Sequence, residues 1–278
     1  MSGFLDEMAR SSAQRAKQAR VCESLAALER RARETPQSAP LRLSEHGFDV
    51  IAELKLKSPA AGSLSSQSED WLKRVAAYAQ GGAAAVSVLT EPSRFDGSLQ
   101  HLQQASRVLK PLGVPAMRKD FLVDPYQVLE ARAAGAGGVL LILRMLSQPQ
   151  IAELLDAAAE HGMFVLLEAF DAQDLATARD VLSRRASGAV AQDLALIGIN
   201  SRDLQSLEVV PERFEVLAPL LPAGWPRVAE SGVASAADAA RMRRLGFGLA
   251  LIGTALMTCD DPQTMLRDIL AAARTAES

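Results

Sequence analysis

Aromatic side chains make up only 4% of this 278-residue chain. Alanine, leucine and valine must therefore fill the interior. Cysteine is nearly absent as well: Cys22 and Cys259 stand far apart. Two residues cannot staple a small disulfide scaffold; they fit reduced thiols, with a single bridge as the other arrangement the count allows. The three histidines, His46, His101 and His161, have no metal-ligand spacing and no companion cysteines. No metal site is expected from them, and loop or surface positions suit all three. Charge of one sign is lacking too. The net charge is −3 and the basic residues are scattered, so no nucleic-acid partner is expected. No apolar run is long enough to span a bilayer; the best, 138–143, ends at Arg144. The opening residues place Asp6 and Glu7 where a secretion signal would be basic and then apolar. A cytoplasmic protein with no membrane partner is the expectation.

What is present is an apolar chain, 49% hydrophobic, of a length that suits one large α/β domain or two small ones. Residues 3–33 are charged and alanine-rich, with Leu25 and Leu28 on a stripe, and read as one helix. Pro36 and Pro40 end it, so residues 1–45 form an N-terminal helical extension ahead of the first strand. A pattern then repeats. Strand candidates lie at 50–55, 84–90, 114–119, 138–143, 164–168, 195–200, 226–230 and 249–253. Helix candidates follow at 68–80, 98–109, 124–134, 148–161, 172–183, 211–219, 235–245 and 261–274. Strands separated by helices form parallel sheets, because parallel neighbours need crossover connections. Eight such units with no linker or composition shift match a (β/α)8 TIM barrel spanning the chain as a single domain. A doubly wound open sheet would normally show Gly-x-Gly-x-x-Gly after its first strand, and Lys55-Leu56-Lys57-Ser58-Pro59 is unlike that.

The polar residues cluster where barrel active sites lie, at the carboxyl ends of strands. Glu53 and Lys55 close the first strand, on one face and about 7 Å apart along it. Lys119 closes the third, Glu168 the fifth, Asn200 the sixth and Glu230 the seventh. Long charged side chains make weak helix caps, so loop starts and caps explain few of these residues, and a ring of working groups explains them better. Ser231-Gly232 and Gly253-Thr254 follow the last two strands. Glycine lets backbone N–H groups approach a ligand, and loops after strands seven and eight often hold phosphate. Together they favour a phosphorylated small-molecule substrate. The segment 56–67, rich in Ser, Ala and Gly, is long for a strand-to-helix connection and reads as a mobile lid that orders over bound substrate.

Several of these stretches resemble indole-3-glycerol phosphate synthase. They include Ile51-Ala52-Glu53-Leu54-Lys55 with Ser58-Pro59, and Ser87-Val88-Leu89-Thr90-Glu91 with Phe95 and Gly97-Ser98. Arg118-Lys119-Asp120-Phe121, Ile197-Gly198-Ile199-Asn200-Ser201-Arg202-Asp203-Leu204 and Ala229-Glu230-Ser231-Gly232 continue the match, in order, over nearly the whole barrel. The resemblance implies cofactor-free ring closure of 1-(2-carboxyphenylamino)-1-deoxyribulose 5-phosphate, with loss of carbon dioxide and water. It assigns Lys119 as general acid and Glu168 as base. It makes Lys55 a phosphate contact and second proton donor, and gives Glu53 and Asn200 the orientation of substrate and lysines. Ser58 and Glu230 count among the substrate contacts. Phe95 and Phe121 contact the aryl ring and Arg202 its carboxylate. Ser231, Gly232, Gly253 and Thr254 fall on the phosphate cradle. The chain departs from the family pattern at Leu56, at Ala60-Ala61, where a customary lysine is missing, and at Leu207. The nearest rival reading, phosphoribosylanthranilate isomerase, would need a Cys/Asp pair at early strand ends, and neither cysteine lies there. A non-catalytic barrel would be expected to have lost Glu53, Lys119 or Glu168, and all three are present.

Overall fold

The computed structural model describes residues 3–45, 47–58, 62–63, 70–186, 195–203 and 206–276. Its strands are β1 (Asp49–Leu54), β2 (Ala85–Leu89), β3 (Ala116–Lys119), β4 (Gly138–Ile142), β5 (Phe164–Ala169), β6 (Ala195–Asn200), β7 (Arg227–Glu230) and β8 (Leu249–Ile252). Each pairs in parallel with its neighbours in chain order, and β1 also pairs with β8, Ile51 opposite Leu251, which closes the barrel. The expected eightfold alternation is therefore observed, with strand ends shifted by a residue or two. Lys55 lies just past β1 rather than in it.

The strands are apolar on both faces because both are covered. Val50, Ala52, Val86, Val139, Leu141 and Ile197 point outward into the layer shared with the helices. Ile51, Ala85, Met117, Leu140, Leu166 and Leu249 point inward and form a second core within the barrel. Alternation thus splits each strand between two cores. At the end remote from the polar ring, the ring of Phe164 lies over Gly138, where a Cβ would come within 2.4 Å of it.

Helices begin at capping side chains. Ser98 caps Leu99–Leu109, Asp124 with Pro125 opens Pro125–Ala133, and Asp261 caps Pro262–Thr275. A full capping box forms at Ser147 and Gln150. At Ser235 the reciprocal half differs from the standard box. Asp238 accepts from the Ala234 N–H at 3.0 Å and from the Ser235 hydroxyl at 2.8 Å. Asp70 caps Trp71–Gln80; the expected start at Ser68 and Glu69 lies outside the described residues.

The N-terminal extension corrects one expectation. Residues 3–33 form two helices, α1 (Gly3–Cys22) and α2 (Leu25–Glu34). The break is local chemistry: the Ser24 side chain accepts from the Ala27 N–H and starts a new helix. The Tyr126 hydroxyl donates to the freed Glu23 carbonyl at 2.8 Å. α2 packs Leu28 and Ala32 against Tyr126, Leu129 and Ala133. α1 instead crosses the carboxyl end of the barrel, and its Leu5 and Met8 join the inner core.

Of the expected lid, Lys57–Ser58 pairs antiparallel with Gly62–Ser63, and Leu56 packs partly against the outer core. The rest of that segment, and the Ser58 side chain, lie outside the described residues. Both cysteines are free thiols, Cys22 exposed and Cys259 half-buried.

Candidate active site

The inward positions at the carboxyl ends of the strands open into a cavity of about 380 Å³. Glu53, Lys55, Lys119, Glu168, Asn200 and Glu230 all line it. So do Phe95, Phe121, Arg202, Ser231, Gly232, Gly253 and Thr254, so these sequence-predicted site residues meet there; the Ser58 side chain lies outside the described residues.

Lys119 is the hub. Its ammonium donates to Glu168 Oε2 at 2.9 Å and lies 3.5 Å from Glu230 Oε2. Burial alone would lower the proton affinity of this lysine. Glu168, Glu230 and Glu53 outweigh that effect and raise it, so the group stays an ammonium. Glu168 is held on its other oxygen by the Asn200 amide, at 3.0 Å. Asn200 is fixed in turn: its Oδ1 accepts from the Ser231 hydroxyl and from the Arg202 N–H, both at 2.9 Å. Lys55 pairs with Glu53 at 3.0 Å. Burial pushes the Glu53 pKa up, but Lys55 and Lys119 pull it below the ordinary range. Glu230 behaves oppositely. Burial and the neighbouring Glu168 charge raise its pKa against the pull of Lys119, which biases it to its protonated form. Both Glu230 oxygens are buried without a hydrogen-bond partner, so the 3.5 Å approach of Lys119 is an electrostatic contact only.

The cavity has an aromatic side. Glu91 accepts from the Ser93 and Arg94 N–H groups and caps the single turn Pro92–Phe95. Asp96 then turns left-handed, and Gly97 passes so close to β2 that a Cβ would lie 2.5 Å from the Leu89 carbonyl. These contacts aim Phe95 at Phe121, with ring centroids 6.2 Å apart. Phe4 of α1 meets Phe121 edge-on at 5.9 Å. Nothing in the strand-end pattern marks Phe4; the scarcity of aromatics and its place on an amphipathic helix are its only signals in the sequence.

Two residues differ from their simplest reading. Arg202 donates to the Leu207 carbonyl at 2.6 Å, so its guanidinium is partly occupied by its own loop. That loop holds Leu207 at φ 61, in the left-handed region that a branched side chain rarely adopts. Gly232 also has positive φ, and a Cβ there would meet Val209 at 2.8 Å before anything in the cavity.

Beneath the ring lies a network that sequence reasoning left without a role. Arg118 points outward from β3 and is 2% exposed. It donates to Asp120 at 3.0 Å, Thr90 at 3.1 Å and the Gln127 carbonyl at 2.8 Å, and reaches Glu130 at 3.1 Å. Asp120 also receives both ends of the Arg15 guanidinium, at 2.7 and 2.9 Å. The residue after Lys119 thereby ties β3 to α1.

Among the described residues no three His, Cys, Asp or Glu side chains are grouped to hold a metal ion, and no helix is long and apolar enough to cross a membrane.

Comparison with known proteins agrees with this geometry. A family profile described as indole-3-glycerol phosphate synthase matches residues 5–269. The indole-3-glycerol phosphate synthase of Parafrankia sp. is 41% identical over 251 residues, 90% of this chain and 88% of the relative. That of Mycobacterium tuberculosis is 39% identical over 237 residues, 85% and 82% of the two chains. Among solved structures, 3-hexulose-6-phosphate synthase from Salmonella typhimurium aligns with a TM-score of 0.61, covering 83% of this chain and all of that one. At 11% identity that likeness shows the barrel alone. With the profile spanning the barrel and relatives near 40% identity over most of their length, this chain belongs to the indole-3-glycerol phosphate synthase family.

Proposed function

We propose that the groups around Lys119 carry out the ring closure of 1-(2-carboxyphenylamino)-1-deoxyribulose 5-phosphate to indole-3-glycerol phosphate, the step of tryptophan biosynthesis for which the family is named. The observation that carries the assignment of roles is the partly buried chain Lys119–Glu168–Asn200–Ser231, at 2.9, 3.0 and 2.9 Å. It joins a proton donor to a proton acceptor whose geometry is fixed by two further strand ends.

In this reading the aryl ring lies between Phe95, Phe121 and Phe4. The substrate carbonyl lies against Lys119. As the carboxylate-bearing ring carbon attacks the carbonyl carbon, negative charge grows on the carbonyl oxygen. An ammonium kept charged by three carboxyl groups donates to that oxygen as the charge develops. Carbon dioxide then leaves and its bonding pair restores the aromatic ring. Water is lost last: one proton goes to the departing hydroxyl and one is taken from the ring-closed intermediate, which Glu168 accepts. Glu53 steadies Lys55, which offers a second donor and faces the phosphate. The turns at Ser231-Gly232 and Gly253-Thr254 form the phosphate cradle, and Arg202 faces the substrate carboxylate. Ser58 completes the set at the lid. No proton transfer here needs a metal or an organic cofactor. The partner is a small phosphorylated molecule, and we place the protein in the cytoplasm.

The test is direct. Purified protein mixed with the carboxyphenylamino-deoxyribulose phosphate should generate indole fluorescence, and a flat trace overturns the proposal. The aromatic side has its own test. Phe4→Ala removes an edge-to-face contact of the kind worth about 0.5–1.5 kcal/mol. KM should rise roughly 2- to 10-fold while kcat changes less, as for lost ground-state contact. An unchanged KM would exclude Phe4 from the aryl site.

A further inference from the structure

Glycine inside a strand weakens it and calls for a reason. Gly198 sits in the middle of β6, and its φ is not in the left-handed region. Backbone conformation therefore does not require it; space does. A Cβ at Gly198 would lie 2.1 Å from Glu230 Oε1 and 3.1 Å from its Cδ. Oε1 of Glu230 occupies the space that a side chain at 198 would take, with Leu166 Cδ1 bordering it at 3.1 Å.

That contact matters because so little else holds Glu230. The residue is 1% exposed, neither oxygen has a hydrogen-bond partner, and the ammonium of Lys119 stands off at 3.5 Å. With no donor from a neighbouring group, this carboxyl is placed by the shape of its surroundings and by Glu168 beside it. In register with Glu168 on one side, Gly198 leaves the gap into which Glu230 fits from the other. The same arrangement recurs across the barrel. A Cβ at Gly253 would lie 2.4 Å from Glu53 Oε1, again at a residue whose φ, −116°, any amino acid adopts. Two of the three carboxyl groups around Lys119 thus rest on glycine.

We propose that Gly198 is a positioning residue for the ring-closure reaction: it seats the Glu230 carboxyl between Glu168 and Lys119 and so sets the spacing of the carboxyl cage around that ammonium. A methyl group at 198 pushes the carboxyl off its seat, and Lys119 loses its arrangement without losing its charge. Substrate contacts elsewhere in the cavity stay in place. The loss therefore falls on kcat, not on KM. The inference rests on the placing of Lys119 and Glu230 in the reacting site.

The test is a double-mutant cycle of Gly198→Ala and Glu230→Asp, read by kcat, KM and the thermal unfolding midpoint. In the wild-type background Gly198→Ala should lower kcat about tenfold or more with KM within about twofold. In the Glu230→Asp background the shorter side chain withdraws the carboxyl from the added methyl. The same alanine should then cost less than about twofold in kcat, and its effect on the midpoint should shrink. If Gly198→Ala does not fold by itself, folding of the double variant supports the seat, and failure of both overturns it. An equal cost of alanine in the two backgrounds overturns it as well, as does no cost in the wild type. A wrong site assignment would look different: Lys119→Met would keep its turnover. Failure of the seat alone leaves Lys119→Met impaired and Gly198→Ala active.

Discussion

Lys119→Met is expected to lower kcat by roughly 100-fold or more, the usual scale of a lost general acid. Methionine nearly keeps the length of the side chain and its apolar stem, and removes the ammonium. Nothing else in the ring replaces it in place: Lys55 is paired with Glu53 at 3.0 Å, on a different strand end. The barrel should stay folded, because its inner core is built lower down, from Ile51, Met117, Leu140 and Leu166. Glu168 and Glu230, each at most 3% exposed, then face each other without their shared cation. Lys119 is the group that opposes protonation of Glu230, so without it the variant should hold the Glu230 proton more firmly than the wild type does. Indole fluorescence reads the turnover and circular dichroism the fold. Near-wild-type turnover in a folded variant would remove Lys119 from the chemistry.

Asp120→Ala should be the costliest single change to stability, at about 3–5 kcal/mol, the range for breaking a buried ion pair from one side. The reason is Arg118. That guanidinium is 2% exposed and would keep only Thr90, the Gln127 carbonyl and Glu130. Arg15 would lose both of its bonds, and α1 would lose a polar anchor to β3. Urea unfolding at neutral pH measures the loss, and a shift below about 1 kcal/mol, within reach of an ordinary hydrogen bond, would contradict it. The pH dependence carries a sign. Burial raises the Asp120 pKa, but Arg118, Arg15 and the Thr90 hydroxyl outweigh it and hold the carboxyl well below the usual range. A depressed folded pKa adds stability that is complete above the unfolded value, about 4, and is lost as pH falls below it. The wild type should therefore lose more stability than Asp120→Ala between pH 5 and 3, and the gap between them should narrow. A constant gap would mean that folding leaves the Asp120 pKa where it is in the unfolded chain, against the buried pairing with Arg118 and Arg15.

The barrel and most of its site were legible in the sequence because both are written locally. A parallel strand covered on two faces must be an apolar run, and its helix must follow within a few residues. Eight such runs therefore stand out without any knowledge of their packing. Five of the eight strands carry a polar residue at or near the carboxyl end, so Glu53, Lys119, Glu168, Asn200 and Glu230 show themselves as polar residues ending apolar runs. Side-chain alternation then decides that they all face inward. The caps at Ser98, Asp124 and Asp261 are local in the same way.

What depended on the tertiary structure is contact between segments far apart in the chain. Arg15 meets Asp120 across 105 residues, and no periodicity in α1 announces the pairing. Phe4 joins the aromatic side of the cavity because α1 packs across the barrel mouth. Arg118 looks in sequence like one more strand-end cation and is instead an outward-facing buried hub. Arg202 bends back to its own loop. The Glu23 carbonyl at the helix break finds its donor in the Tyr126 hydroxyl, 103 residues away. Gly198 and Gly253 read as ordinary glycines until the carboxyl groups resting on them are seen. Composition and alternation set which residues can be buried and on which face. Which buried group lies against which is settled when the strands close and the helices dock, because only then are the distances between segments determined.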